Sequence, residues 1–329
     1  MLGAFIFWGG EAVKAQTIEL KFAHFMAPMH IQHQKSFVPF AEKVEKLTGG
    51  KVKIKIYPGG ALGAATQLPD AVKTGITDIA FIIPSYTTGR FQRSSAFDLP
   101  YLFDKGVQTT NAIYDVYERY LADDYKDYKV LWLYATGCGQ LMSVTKPIRT
   151  MEDLKGTKMR SPSTAMTEAF KLLGASPVGM PISELHMALE KKVIDGMLTP
   201  FSAVTDFKMF DLIKYITEVN MYTTLMVVVM NKEKFGSLPD FAKKAMDEAS
   251  GRQAGLHAAE AYDDHDNGTV KEIKKLGKIE IYKPSESEMK RFKDQVKVME
   301  TDWINSMTPK GFHAKEVMEA LHSSAKKNR

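Results

Sequence analysis

The chain is poor in the residues and runs that would assign it quickly. Of its 329 residues only Cys138 is a cysteine, which excludes an intrachain disulfide and any zinc site built on several thiolates. No stretch reaches the roughly 20 apolar residues that a membrane-spanning helix needs. There is no internal repeat, no low-complexity tract and no block of five like charges. The 44 Lys and Arg against 39 Asp and Glu leave a net charge of +5, but the charges are interspersed along helices. A nucleic-acid partner, which calls for a basic stripe or an aromatic-basic platform, is therefore not expected. Hydrophobic residues make up 44% and charged residues 25%, a composition that excludes a disordered chain or a collagen-like fibre.

Catalytic and cofactor patterns are also scarce. No P-loop, serine-nucleophile elbow or HExxH is present. Gly137-Cys138-Gly139 begins a dinucleotide fingerprint, but Met142 stands where its third glycine belongs. Cys138 between two glycines reads as a small buried filler, with a nucleophile as the alternative. His24, His30 and His33 lack a neighbouring carboxylate pair and read as loop and helix-start residues, with one of them facing a ligand as the alternative. The run Asp263, Asp264, His265 and Asp266 fails the calcium-loop register, since counting from Asp264 puts Gly268 fifth and Lys275 twelfth. It reads as a solvated acidic helix face. No cofactor and no metal are expected.

What is present is alternation. Residues 1–10 (MLGAFIFWGG) are apolar and Val13-Lys14-Ala15 precede Gln16, the pattern of a signal peptide covering residues 1–15; a frayed N-terminal strand is the alternative. From Thr17, short strands at residues 18–23, 52–56 and 78–83 alternate with helices at 37–47 and 64–73, which predicts βαβ units and a mostly parallel sheet. A second block follows, with strands at 129–135, 156–160 and 193–198 and helices at 164–173 and 183–191. Residues 221–230 read as a buried strand. Two such blocks, joined near residues 137–139, predict an α/β protein of two domains. In the C-terminal third, Ser237 reads as an N-cap with Pro239 just inside a helix that runs towards Gly268. A helix near that length spans about 45 Å and can brace both domains. A strand at 279–282 and helices at 289–307 and 314–326 complete the chain.

One segment concentrates anion-binding chemistry. In residues 154–164 a strand delivers Arg160 to a helix start, with Ser161 as expected N-cap and Pro162 at the first helical position. A guanidinium and free helix N–H groups then face one region, which suits a carboxylate held by two parallel hydrogen bonds. An arginine paired with a protein carboxylate at the domain boundary is the other reading.

Five stretches, in this order and spacing, resemble the periplasmic solute-binding subunit of TRAP (tripartite ATP-independent periplasmic) transporters. They are residues 48–63 (TGGKVKIKIYPGGALG), 98–103 (DLPYLF), 154–160 (LKGTKMR), 174–196 (GASPVGMPISELHMALEKKVIDG) and 231–239 (NKEKFGSLP). The resemblance implies two α/β domains around a ligand cleft and a long helix bracing both. The expected boundaries are residues 16–138 plus 225–265 for the first domain, 139–224 plus 266–319 for the second, and a tail at 320–329. It implies a periplasmic protein that captures an organic acid and delivers it to the TRAP membrane permease subunits, and it is not expected to be an enzyme. The family arginine that grips the ligand carboxylate falls on Arg160. Where members carry a ligand-contacting asparagine after Asp-Gly this chain has Thr199, and Gln140 replaces a second basic residue found in some sugar-acid binders. Further pocket positions are Phe25, Ile83, Tyr86, Ser163, Ile182, His186 and Leu225. Most of these are apolar or aromatic, which favours a monocarboxylate with a hydrophobic or aromatic body over a polyhydroxylated acid. A periplasmic sensor or enzyme reusing the cleft, with His186 and Cys138 as its loose candidates, is the competing reading, and a binder of amino-containing ligands a third. N-terminal sequencing of the exported protein is expected to begin at Gln16; a chain still starting at Met1 would remove the signal-peptide assignment.

Overall fold

The computed structural model describes residues 17–328, so the signal peptide expected over residues 1–15 and its cleavage before Gln16 lie outside the described residues. Eleven strands follow in chain order: β1 (Ile18–Ala23), β2 (Val52–Tyr57), β3 (Ile79–Ile82), β4 (Tyr128–Ala135), β5 (Gln140–Ser143), β6 (Lys158–Ser161), β7 (Ser176–Gly179), β8 (Gly196–Thr199), β9 (Tyr215–Thr217), β10 (Leu225–Asn231) and β11 (Glu280–Tyr282). They form two sheets, ordered β2-β1-β3-β10-β4 and β11-β9-β5-β8-β6-β7. Each sheet, with its helices, makes one half of the molecule. The two α/β halves agree with the sequence-based expectation.

The sheets are mixed, however, not mostly parallel. β1 pairs in parallel with β2 and β3, but β10 runs antiparallel to both β3 and β4. In the second sheet β6 is parallel to β7 and β8, while β5 is antiparallel to β8 and β9. The reason is the path of the chain. It leaves the first sheet after β4, builds most of the second, and returns through residues 218–224 to insert β10. A strand arriving from the other half is not bound by the right-handed crossover that keeps βαβ strands parallel. β10 is fully buried from Leu225 to Met230, which explains its continuous apolar run.

Helices cover both sheets. Phe37 and Phe40, at the start of the Val38–Leu47 helix, pack on Trp132 of β4 at ring distances of 6.4 and 4.8 Å. The C-terminal third differs from the sequence expectation. Ser237 ends the Lys232–Ser237 helix, Pro239 precedes the Asp240–Ala249 helix, and a second break separates that helix from Gly251–Leu276. At this break Ser250 is extended and Gly251 has φ +78°, a conformation only glycine adopts without strain. The bracing helix is thus 26 residues, about 39 Å long at 1.5 Å per residue. Residues 289–307 likewise divide into the Glu286–Val296 and Val298–Met307 helices. Residues 320–329, expected as a tail, mostly continue the Ala314–Lys327 helix, which buries Leu321 and packs on the Gly106–Val116 helix of the first half.

The bracing helix lies so close to β4 that a Cβ at Gly255 would stand 2.2 Å from the Leu133 carbonyl oxygen and 2.9 Å from the Tyr114 hydroxyl. Gly268, on the same helix, has open space around it. Gly255→Ala is therefore expected to destabilise the protein by about 1–3 kcal/mol through overpacking, whereas Gly268→Ala is expected to stabilise it by up to about 1 kcal/mol through helix propensity. Thermal melts of both variants check the pair of signs.

Candidate ligand-binding site

β6, β7 and β8 are parallel neighbours, so their C-terminal ends converge at one edge of the second half. Arg160 lies on β6, opposite Val178 of β7 and Met197 of β8. Its side chain is 1% exposed. Nε donates to the Met180 carbonyl at 3.0 Å and Nη1 to the Leu198 carbonyl at 3.2 Å. Nη2 donates to the Tyr86 hydroxyl at 3.2 Å. All three acceptors are neutral, and among the described residues no carboxylate pairs with this guanidinium. The alternative of a structural arginine–carboxylate pair is thereby removed.

Tyr86 comes from the first half, in the tight turn Pro84–Tyr86 after β3. Besides Arg160, its oxygen accepts from the Ile182 backbone N–H at 3.1 Å, so one phenol bridges the two halves at the site. Phe25 packs its ring at 6.1 Å from Tyr86 and 5.3 Å from Phe81, supporting that bridge from behind. The cavity around Arg160 is lined by Ile83, Tyr86, Ile182 and Thr199 among the expected residues. It also includes His30, one of the three histidines for which a ligand-facing position was the alternative, and Met26, Asp206, Phe207, Tyr222 and Met226, which the sequence did not single out as ligand residues. The Thr199 hydroxyl is buried without a hydrogen-bond partner. Tyr222 donates to the Leu198 carbonyl at 3.4 Å, and burial pushes its phenol up to about 12, so it stays neutral. In this closed arrangement the cavity holds about 30 Å³, one water's share of liquid volume and far below the roughly 300–1,000 Å³ of ligand pockets.

Residues 22–305 match the family described as bacterial extracellular solute-binding protein, family 7. The chain belongs to this family. A TRAP solute-binding protein from Rhodoferax ferrireducens, solved with copurified benzoate, superimposes with a TM-score of 0.91 at 32% identity, covering 95% of this chain and 98% of that one. A marine metagenome TRAP solute-binding protein, described as specific for aromatic acid ligands and solved with 3-hydroxybenzoate, gives 0.91 at 32% identity, with 95% and 99% covered. The 2,3-diketo-L-gulonate-binding periplasmic protein YiaO of Escherichia coli is 26% identical over 280 residues, 83% of each chain. None of the described helices is long and apolar enough to cross a membrane.

Other expected positions of this TRAP solute-binding protein lie outside the cavity. Gln140 donates to the Cys138 carbonyl and the Asn220 side chain, and accepts from the N–H groups of Val219 and Asn220. Its amide is fully occupied, and it clamps the two connections, residues 136–139 and 218–224, between the halves. Ser163, not Ser161, is the N-cap of the Thr164–Leu172 helix, accepting from Met166 N–H at 3.2 Å; β6 runs through Ser161, which shifts the helix start. His186 is surface-exposed and faces Glu190 at 3.3 Å. Leu225 lines a different pocket. Cys138 is buried and its thiol is pushed well up by burial, in keeping with a filler.

The acidic run at 263–266 is not a solvated face. Asp263 accepts from the N–H groups of Gly106 and Val107 at 2.9 and 3.0 Å, capping a helix of the first half. Asp266 accepts from Ser202 N–H at 2.6 Å, at the start of the Ser202–Asp206 helix of the second half. His265 Nε2 stands 3.2 Å from Asp206, which also faces His30 Nε2 at 3.4 Å and accepts from Ile31 N–H at 3.1 Å. Both imidazoles lie at ion-pair distance but off the hydrogen-bonding direction. Three elements from both halves therefore meet at the Asp206 carboxylate, which helical periodicity alone could not foretell.

The imidazoles titrate in opposite senses. Asp206 raises His265 above the usual histidine value, whereas burial lowers His30 to about 4 and His24 to about 3. The His265–Asp206 attraction is thus fully present below about 6.5 and lost as pH rises through the raised value. His24 and His30 act oppositely, favouring the fold above about 6.5 and withdrawing that support as pH falls. Asp206→Asn is expected to lower stability by about 1–3 kcal/mol near pH 6 and by less near pH 9. Melting temperatures at the two pH values check it; an equal loss at both would detach Asp206 from His265.

Proposed function

We propose that the protein captures an organic monocarboxylate with a hydrophobic or aromatic body and delivers it, outside the cytoplasm, to the membrane permease subunits of a TRAP transporter. The observation that carries this reading is a buried guanidinium without an anionic partner in a cavity between two halves. A lone buried charge is costly unless paired, and a ligand carboxylate supplies the missing anion.

The donor inventory supports one carboxylate. Arg160 has five N–H groups, of which three are used by Met180, Leu198 and Tyr86. One N–H remains on each terminal nitrogen, the pair that an end-on carboxylate engages. Tyr86 accepts two hydrogen bonds and keeps its own proton for an acceptor in the cavity. Beyond these groups the wall is mixed: Met26, Ile83, Ile182, Phe207 and Met226 form an apolar stretch beside the polar side chains of His30, Thr199, Asp206, Tyr222 and Thr224. The apolar stretch suits the body of the acid, since it cannot replace the water around several hydroxyls. The benzoate and 3-hydroxybenzoate of the two similar proteins have this chemistry.

The halves must part for a body of that size to enter, because the closed cavity is so small. We take residues 136–139 and 218–224 as the hinges, with residues 16–138 and 225–265 moving against residues 139–224. The work is binding and presentation; no catalytic step is invoked.

Calorimetric titration with benzoate, 3-hydroxybenzoate and succinate tests the proposal, with the aromatic monocarboxylates expected to bind and succinate expected not to. Arg160→Ala is expected to lose about 2–5 kcal/mol, roughly thirty-fold to several thousand-fold in affinity, while still folding. Arg160→Lys is expected to recover only part of this, since an ammonium lacks the two-pronged geometry. Wild-type affinity in a folded Arg160→Ala variant would overturn the carboxylate-anchor role.

A further inference from the structure

A larger cavity lies on the other side of the Pro84–Tyr86 turn from Arg160. Its volume is about 530 Å³, well within the roughly 300–1,000 Å³ of small-molecule sites. The wall between the two cavities is thin: Ile83 and Tyr86 face the Arg160 cavity, while Pro84, Ser85 and Thr87 face this one. At the start of β10, Thr224 and Met226 face one cavity and Leu225 the other. No residue lines both. Residues of the 84–99 segment wall the pocket from the first half, and the Thr164–Leu172 helix walls it from the second. The Val298–Met307 helix closes it, presenting Met299 and Trp303.

In this mainly apolar pocket stands Asp98, 7% exposed. Among the described residues nothing donates a hydrogen bond to its carboxylate, and burial alone moves it up to about 7. The other charged side chains on the wall are Glu168, Asp302 and Lys310, and Lys310 is turned to the Gln92 side-chain oxygen at 3.1 Å. The phenols of Tyr125 and Tyr222, which also feel Asp98, are held neutral by burial. A buried carboxylate with no donor is costly, and an apolar occupant would leave it so. An anionic one would meet three acidic groups.

We propose that this pocket is a second binding site, for a small organic ammonium ion with an apolar or aromatic body. The ammonium supplies both the opposite charge and up to three N–H donors to Asp98, and its body lies against Trp303 and Met299, where an aromatic face also attracts a cation. The site is independent of the carboxylate reading at Arg160. Because its walls come from both halves, an occupant holds them at the separation seen here and is thermodynamically coupled to opening of the neighbouring cleft.

The test is calorimetric titration of the full chain near pH 8 with benzylammonium, and with benzyl alcohol as its uncharged counterpart. Benzylammonium is expected to bind saturably and at least about tenfold more tightly than the alcohol, since a charged hydrogen bond outweighs a neutral one. Asp98→Asn is expected to lose roughly thirty-fold or more in affinity and to melt higher near pH 8, because it no longer buries a lone charge. Affinity in the wild type is expected to weaken towards about pH 6, as Asp98 takes up a proton. Ala165→Trp, which fills the pocket and keeps Asp98, is expected to abolish binding with little change in melting, and Arg160→Ala to preserve it. Absence of saturable benzylammonium binding, equal affinity for the alcohol, or an unchanged affinity in Asp98→Asn would each overturn the proposal.

Discussion

The arrangement of the site depends on keeping one positive charge, that of Arg160, out of water. The cost is met only in part by the protein. Carbonyls at the ends of neighbouring segments, Met180 after β7 and Leu198 in β8, fix the plane of the guanidinium. Those carbonyls are available because three parallel strands end side by side. The third partner, Tyr86, belongs to the opposite half, so the closed form alone completes this set. Neutral acceptors orient the charge without cancelling it. In the proposed function the anion comes from the ligand, and affinity and closure then rest on the same group.

Closure needs halves that can move, and the bracing helix limits how. Asp263 caps a helix of one half, while Asp266 and His265 engage the Ser202–Asp206 helix of the other. These contacts fall within one turn of a 26-residue helix, close to where both connecting segments cross. Gln140 ties those same segments together through all its hydrogen-bonding capacity. Contacts concentrated near one axis permit rotation about it and resist sliding. The cleft at Arg160 and the Asp98 pocket flank the same Pro84–Tyr86 turn, so a shift of that turn is felt in both.

Much of this was legible in the chain. Alternating apolar periods located eight of the eleven strands to within a few residues, because a half-buried strand or helix writes its own spacing into the sequence; the exceptions, β5, β7 and β9, are short segments whose pattern is weak. Arg160 stood out because arginine leading directly into a helix start is chemically conspicuous. Helix breaks were harder. A local break at Ser250-Gly251 leaves helix-forming residues on both sides, and only the positive φ at Gly251 reveals it.

The sequence by itself determined the two α/β halves through local pattern, singled out Arg160 through side-chain chemistry, and gave the class of the protein through its resemblance to a family. Only the tertiary structure decided the antiparallel insertion of β10, the use of Gln140 as a clamp, the pairing of Asp206 with His30 and His265, and the isolation of Asp98. Each of these joins residues far apart in the chain, and whether a polar group finds a partner is decided by which distant segment is folded against it. Spacing along a chain carries no record of that.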